Sequence, residues 1–115
     1  MADPLKLLAI LAHPDDESLG IGGTLAKYAA EGVETYLICA TRGERGWNGP
    51  ANQNPGLKVL GKIREEELMN AAQHLGLKEV IFLDYIDGDV DQVQPQKAIA
   101  DITAVIRRIR PQVVV

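Results

Sequence analysis

Short apolar segments alternate with amphipathic segments along the whole chain. Apolar runs at residues 5–12, 34–40 and 80–83 have the length and continuity of strands buried on both faces. Between them, residues 22–31, 60–75 and 95–110 carry apolar side chains at helical spacing, and Gly or Pro follows each segment. A fourth apolar run begins at residue 112. The order βαβαβαβ predicts an α/β, Rossmann-like three-layer fold with a mainly parallel sheet.

The length of 115 residues, with 46% hydrophobic content, suits a single domain over residues 1–115. Because the fourth strand stops at Val115, we expect the sheet to be incomplete at its C-terminus, as in the N-terminal portion of a larger domain. Such a sheet leaves an apolar strand edge, which favours a homo-oligomer or pairing with a complementing chain segment. In a doubly wound sheet this strand would lie beside the first one.

Charge and composition exclude several classes of partner. The formal net charge is −4, and no basic stripe is present that would favour nucleic acid. The apolar N-terminal run is too short for a membrane span and lacks the features of a signal peptide, so a cytoplasmic location is the default expectation. Cys39 is the single cysteine, and its apolar surroundings predict a buried, reduced thiol.

The most polar stretches of the chain follow the three complete strands. They contain residues 13–17, 41–47 and 84–89. Ligands of parallel sheets bind beyond the carboxyl ends of the strands, so these loops should form one site. The loop that spans residues 41–58 is rich in Gly, Asn and Pro, and loops of that length are usually functional.

The sequence His13-Pro-Asp-Asp-Glu17 places an imidazole and three carboxylates directly after the first strand. A catalytic zinc typically takes three His or carboxylate ligands and keeps one position for water. His13 and one acid can be two such ligands, and another acid can serve as general base. Alternatively, the acids cap the next helix, which explains one carboxylate better than three.

Glycines at positions 20, 22 and 23 also suggest a nucleotide-binding turn. However, Leu25 stands where the third glycine of G-x-G-x-x-G is required. The preceding turn carries acids that would repel a pyrophosphate in the absence of a metal. A plain dinucleotide site is therefore disfavoured.

The segment Ala12-His-Pro-Asp-Asp-Glu17 resembles the signature of the LmbE-like/PIG-L family of zinc-dependent N-acetylglucosaminyl deacetylases. Further matches follow in family order over the rest of the chain: Gly22-Gly-Thr24, Thr41-Arg-Gly-Glu44, Arg64-Glu-Glu-Glu-Leu68, Leu75-Gly76 and Asp87-Gly88. The resemblance implies hydrolysis of the N-acetyl group of an N-acetylglucosamine-type sugar or glycoconjugate.

By this resemblance, His13 and Asp16 would bind Zn²⁺, although another divalent metal could replace it, and Asp15 would be the general base. Arg64 and Asp87 would contact the N-acetylated amino-sugar substrate. The family's third ligand is a histidine that follows the fourth strand, beyond Val115. The remaining histidine, His74, lies on a helix away from the carboxyl edge, and a surface role is expected for it.

Several other polar residues have structural alternatives. Arg64 could merely pair with acids on a solvated helix face, and Trp47 could equally stack on a sugar or pin its loop. Solvated side chains are the expectation for Arg42 and Arg45. The three aspartates at positions 84, 87 and 89 could simply hold the turn around Gly88.

Two hypotheses from different classes follow. The first is a zinc-dependent amide hydrolase that deacetylates an amino sugar. The second is a non-catalytic metal- or sugar-binding fragment, because only two of three expected ligands are present. On either hypothesis, we expect the 115-residue chain alone to be catalytically silent.

Overall fold

The strands form one four-stranded, all-parallel sheet in the order β3-β2-β1-β4. The computed structural model describes residues 3–115. Strand β1 spans Lys6–Leu11, β2 spans Glu34–Cys39, β3 spans Glu79–Phe82 and β4 spans Val113–Val114. The predicted α/β fold is confirmed, including the position of the fourth strand beside the first.

Helices connect the strands: α1 (Asp16–Gly20), α2 (Gly22–Ala30), α3 (Leu57–Leu75) and α4 (Pro95–Ile109), with short 3-10 turns at Ala51–Gln53 and Val90–Gln92. Helix α3 ends at Gly76, whose φ of 78° is a left-handed conformation that glycine adopts without strain. Helix α4 begins with Pro95. Proline has no backbone N–H, and at the first position of a helix that N–H would have no partner within the helix, so proline is tolerated there.

The core lies on both faces of the sheet, because successive side chains of a strand point to opposite sides. On one face, Leu8 and Ile38 pack with Val105 and Ile109 of α4. On the other face, Ala9, Leu37 and Cys39 pack with Leu68 of α3. The Cys39 side chain is free and fully buried, as predicted.

One local prediction was wrong. The acidic motif was expected to be loop, but α1 begins at Asp16 within it and is separated from α2 by Ile21. A five-residue helix is too short to show an apolar period, whereas acids in its first turn are favourable near the helix dipole. The turn that carries the motif is therefore held between β1 and a helix.

Strand β4 forms one edge of the sheet, and its side chains are substantially exposed. The exposed fractions are 49% for Val113 and 46% for Val114, and Val115, which follows the strand, is 54% exposed. The homo-oligomer or complementing segment expected at this edge stays a prediction. Among residues 3–115, no helix has both the length and the apolar character needed to cross a membrane.

Candidate active site

The loops after β1 and β2 are tied together at the carboxyl edge of the sheet by Thr41. Its buried hydroxyl donates to the carbonyl of Ala12 at 2.9 Å and accepts from the N–H of Gly43 at 3.1 Å. The N–H of Thr41 also donates to Ala12 at 3.1 Å. These bonds place the motif of residues 13–17 directly beside the Gly-rich loop, as predicted from the topology.

The side chains of His13 and Asp16 face each other within the first loop. Nδ1 of His13 lies 3.4 Å from Oδ2 of Asp16, and the same oxygen accepts the backbone N–H of His13 at 3.0 Å. Two ligands of one tetrahedral zinc, each near 2.0 Å from the ion, are separated by about 3.3 Å. The pair therefore fits the two zinc ligands predicted from the sequence.

The opposite ring nitrogen of His13 contacts the third loop. Nε2 lies 3.1 Å from Oδ1 of Asp87, whose side chain is only 13% exposed. Metal-binding histidines commonly direct their second nitrogen to a carboxylate in this way. Asp87, expected at the substrate, is thus in contact with His13, and its predicted role toward substrate stays a prediction.

Asp15 has an unusual backbone conformation, with φ at 130° and ψ at −28°. Its N–H donates to Oε2 of Glu17 at 3.1 Å, and the Glu17 side chain is almost fully buried. Strained conformations of this kind occur at functional sites where the surroundings hold them in place. No side chain caps α1 at Asp15, so capping does not account for this acid.

The Asp15 carboxyl group is half exposed and lies beside a cationic side chain, Arg64. Partial burial and a hydrogen bond with Asp16 raise the pKa of this carboxyl group, against the opposing effect of Arg64. A raised pKa moves a carboxylate toward the value that suits a general base near neutral pH. The geometry is compatible with the base role predicted for Asp15.

Arg64 connects the first two loops and is not a solvated surface residue. Its side chain is 18% exposed, and its guanidinium donates to the carbonyls of Gly43 and Pro14 and, at 3.4 Å, to Oδ2 of Asp15. Pairing with acids on its own helix is therefore excluded as its main role. The predicted contact of Arg64 with substrate stays a prediction.

A cleft of about 270 Å³ opens beside Asp15 and Arg64. Leu68 and Ala71 of α3 contribute apolar wall, and Glu67 adds a carboxylate. Ligand sites of this kind combine apolar walls with a few directed polar groups. The general-base candidate thus lies at the wall of a space that can admit a small polar molecule.

Arg42 departs from the expectation of a solvated side chain, whereas Arg45 is exposed, as expected. Arg42 donates to Glu65 at 3.1 Å, pairs with Asp84 and lies 4.6 Å from the centre of the Phe82 ring. Arg45 pairs with both oxygens of Asp89 at 3.2 Å. The prediction failed for Arg42 because Glu65 of α3 and Asp84 of the third loop lie opposite it, which the separation in sequence does not reveal.

The remaining sequence candidates have local partners. Trp47 donates from Nε1 to the carbonyl of Pro50 at 2.8 Å, which supports the loop-pinning alternative. His74 is exposed near the end of α3, with Nδ1 at 2.9 Å from the carbonyl of Asn70. Because α3 leads into the start of β3, His74 lies at the edge of the sheet opposite the site, as expected.

His13 and Asp16 are the pair of candidate metal ligands that the first loop brings together. Within residues 3–115, no three His, Cys, Asp or Glu side chains are placed to hold one metal ion together. Glu17 and Glu44, which have no predicted individual role, accept the backbone N–H groups of Asp15 and Asp87. In the sequence, each is visible only as an acid within a segment that resembles the family, residues 12–17 for Glu17 and residues 41–44 for Glu44.

Known proteins and one family model are similar to the chain over most of its length. Residues 8–115 match the family model PIG-L, GlcNAc-PI de-N-acetylase. A 1D-myo-inositol 2-acetamido-2-deoxy-alpha-D-glucopyranoside deacetylase of Catenulispora acidiphila is 37% identical, covering 100% of this chain and 39% of the relative. A mycothiol S-conjugate amidase of Streptomyces coelicolor is 32% identical, covering 99% of this chain and 44% of the relative.

Solved structures share the fold. N,N'-diacetylchitobiose deacetylase from Pyrococcus horikoshii superposes with a TM-score of 0.87 at 32% identity, covering 97% of this chain and 40% of that protein. GalB, the 4-carboxy-2-hydroxymuconate hydratase from Pseudomonas putida, gives 0.82 at 28% identity, covering 96% and 45%. The chain thus spans less than half the length of these relatives. With its motif, fold and family match in agreement, the chain belongs to the PIG-L (LmbE-like) family.

Proposed function

We propose that the protein carrying this sequence hydrolyses the N-acetyl group of an N-acetylglucosamine-type sugar or glycoconjugate in a zinc-dependent reaction. The observation that carries the proposal is the pairing of His13 Nδ1 with Asp16 Oδ2 at 3.4 Å, with Asp15 between them in sequence. Relatives that deacetylate 2-acetamido-2-deoxy sugars and N,N'-diacetylchitobiose support the substrate class.

Each residue of the first loop has a proposed part in the reaction. Zinc held by His13 and Asp16 would supply a Lewis acid for the acetamide carbonyl and for water. Asp15 takes a proton from the water as the water oxygen adds to the acetyl carbonyl carbon. The proton then passes to the sugar nitrogen as the C–N bond breaks, which releases acetate and a free amine.

The surroundings of Asp15 support its part as the base. Glu17 holds the backbone of Asp15 from inside the protein, and Arg64 lies at 3.4 Å from its carboxylate. These contacts restrict the carboxylate without neutralising it by a short ion pair. Arg64 and Asp87 are the proposed contacts for the polar groups of the sugar.

A second candidate function is a metal- or sugar-binding module without turnover. It is the alternative because a catalytic zinc usually has three protein ligands, and no group of three is placed around one ion among residues 3–115. A hydratase among the solved relatives adds a reason to test the chemistry directly, since a shared fold does not fix the reaction.

The deciding experiment measures acetate release from N-acetylglucosamine and from N,N'-diacetylchitobiose. The assay uses the protein carrying this sequence, because the 115-residue chain alone is expected to be catalytically silent. That protein is first treated with a chelator and then supplied with zinc. The hydrolase proposal expects acetate in the zinc-loaded sample and none after chelation. Zinc binding without acetate release from either sugar, under conditions where the folded protein is confirmed, would favour the binding module.

A further inference from the structure

Asp87 is held from both its backbone and its side chain by two neighbouring residues of the loop after β2. The N–H of Asp87 donates to Oε1 of Glu44 at 2.9 Å. In return, the N–H of Arg45 donates to Oδ2 of Asp87 at 3.1 Å. This reciprocal pair leaves the Asp87 carboxylate little freedom to rotate, and its other oxygen is directed at the first loop.

That remaining oxygen determines what the His13 ring can do. Oδ1 of Asp87 lies 3.1 Å from Nε2 of His13, and an ionised carboxylate can only accept a hydrogen bond. On the other side of the ring, Nδ1 faces Oδ2 of Asp16 at 3.4 Å, and that oxygen already accepts the His13 backbone N–H. A neutral imidazole has one N–H to donate. Asp87 is closer to the ring than Asp16 is, and the Asp87 oxygen does not also accept the His13 backbone N–H.

We propose that Asp87, fixed by Glu44 and by the backbone of Arg45, is a positioning residue that holds neutral His13 with its hydrogen on Nε2. Nδ1 then carries a free lone pair on the side of the ring that faces Asp16. A metal ion bound by both side chains needs this lone pair, because a nitrogen that carries a hydrogen cannot be a ligand. The link to metal affinity rests on the proposed function, whereas the position of the hydrogen does not.

The chain allows this hydrogen to be located directly. It contains two histidines, so the nitrogen-15 spectrum of the imidazole rings has few signals, and the second histidine is an internal contrast. Nδ1 of His74 lies 2.9 Å from the Asn70 carbonyl, which also only accepts. In the metal-free chain, at a pH where both rings are neutral, we expect Nε2–H at His13 and Nδ1–H at His74.

Substitutions at position 44 separate positioning from mere packing. Glu44→Gln keeps an oxygen acceptor for the Asp87 N–H, whereas Glu44→Met keeps the length of the side chain and removes the acceptor. We expect a single His13 tautomer in the Gln variant and a mixture of the two in the Met variant. Asp87→Leu should also give a mixture. Asp91→Asn should not, because it alters an acid after the same strand whose carboxylate accepts from Gln92.

Two results would overturn the proposal. One is an Nδ1–H tautomer at His13 in the unaltered chain. The other is a tautomer population that stays the same in Glu44→Met and in Asp87→Leu. Because Glu44 is only half-buried and lies in a loop, its variants give a decision even where Asp87→Leu does not fold.

Zinc titration of the same samples supplies the second readout. Loss of a carboxylate behind a metal-binding histidine typically weakens metal binding by about 10–100-fold. We expect that range for Asp87→Leu, a smaller loss for Glu44→Met and the original affinity for Glu44→Gln. If zinc does not bind at His13, the proposed function fails, but the tautomer measured without metal still decides the role of Asp87.

Discussion

A β-carbon at position 46 would lie 2.5 Å from Nη1 of Arg64, so the guanidinium occupies the space that a side chain at Gly46 would need. The same Nη1 donates to the carbonyl of Gly43 at 2.8 Å. The Gly-rich loop and the arginine of α3 are therefore packed as one unit against the turn that carries Asp15.

Replacing Gly46 with alanine should displace the Arg64 guanidinium and break its bonds to the backbone carbonyls. The guanidinium is the end of a flexible side chain and can move, so the cost is the hydrogen bonds that it gives up. We expect the free energy of unfolding to fall by at most about 1.5–3 kcal/mol, the worth of one hydrogen bond of a charged group. Urea denaturation measures this change. Gly23→Ala is the matched control, because a β-carbon there meets nothing within 4 Å and a helix gains from alanine.

A double-mutant cycle tests the cause of that loss. In an Arg64→Ala background the obstructing group is absent, so Gly46→Ala should cost much less than in the unaltered chain. Equal costs in both backgrounds would show that position 46 requires glycine for another reason.

Zinc, if it binds this chain, should do so at His13 and Asp16 and not at His74. His13→Ala and Asp16→Ala should each remove binding measured by equilibrium dialysis, because each takes away one of two ligands. His74→Ala changes the only other histidine and should leave binding unaltered. Loss of zinc in the His74 variant would reject the assignment.

Cys39 should make the fold less stable at high pH. Burial, with the negative charge of Glu17 nearby, raises the pKa of the thiol from 9.0 to about 12. The unfolded chain therefore loses this proton near pH 9 while the folded chain keeps it. The contribution of the thiol to stability is complete below pH 9 and declines as the pH rises toward 12, by at most about 1.4 kcal/mol per pH unit.

The measurement compares unfolding free energies of the unaltered chain and Cys39→Ala between pH 8 and pH 11. Other groups titrate equally in both proteins, so the difference between the two curves isolates the thiol. We expect the stability of the unaltered chain to decline more steeply above pH 9. Parallel curves across the range would contradict the raised pKa of Cys39.

The exposed edge at β4 should promote self-association of the 115-residue chain. In the part of the chain that the structure describes, β4 pairs with β1 and forms an edge of the sheet. Apolar side chains beside such an edge, here those of residues 113–115, favour pairing with another chain. Light scattering should show a mass that rises with concentration, and Val114→Lys should lower it. A monomer at all concentrations would contradict this prediction.

The fold could be predicted from the sequence because its strongest signals are long and local. Apolar runs predict the strands, and apolar side chains at helical spacing predict α2, α3 and α4. The rules for parallel sheets predict β4 beside β1. Helix α1 was missed because five residues carry no readable period. The 3-10 turns inside the two polar loops were missed for the same reason.

The site could be predicted as a location but not as a set of contacts. His13 follows β1 and Arg42 follows β2. Because the carboxyl ends of parallel strands lie at the same edge of the sheet, the sequence predicts both residues at that edge. The pairing of His13 with Asp87 and of Asp15 with Arg64 joins residues far apart in sequence, and no local pattern encodes it. Hydrogen bonds between loops decide these contacts, and only the folded chain shows them.

The effect of Asp15→Asn on turnover, measured together with zinc affinity, tests the proposed chemistry most directly. Asparagine keeps the size of the side chain and tolerates unusual backbone angles, but it cannot take a proton from water. In the protein carrying this sequence, we expect acetate release to fall on the order of 100-fold or more, as loss of a general base does, with zinc affinity nearly unchanged. Undiminished acetate release, or loss of zinc from the Asn variant, would contradict the assignment of Asp15 as the base beside a His13–Asp16 metal site.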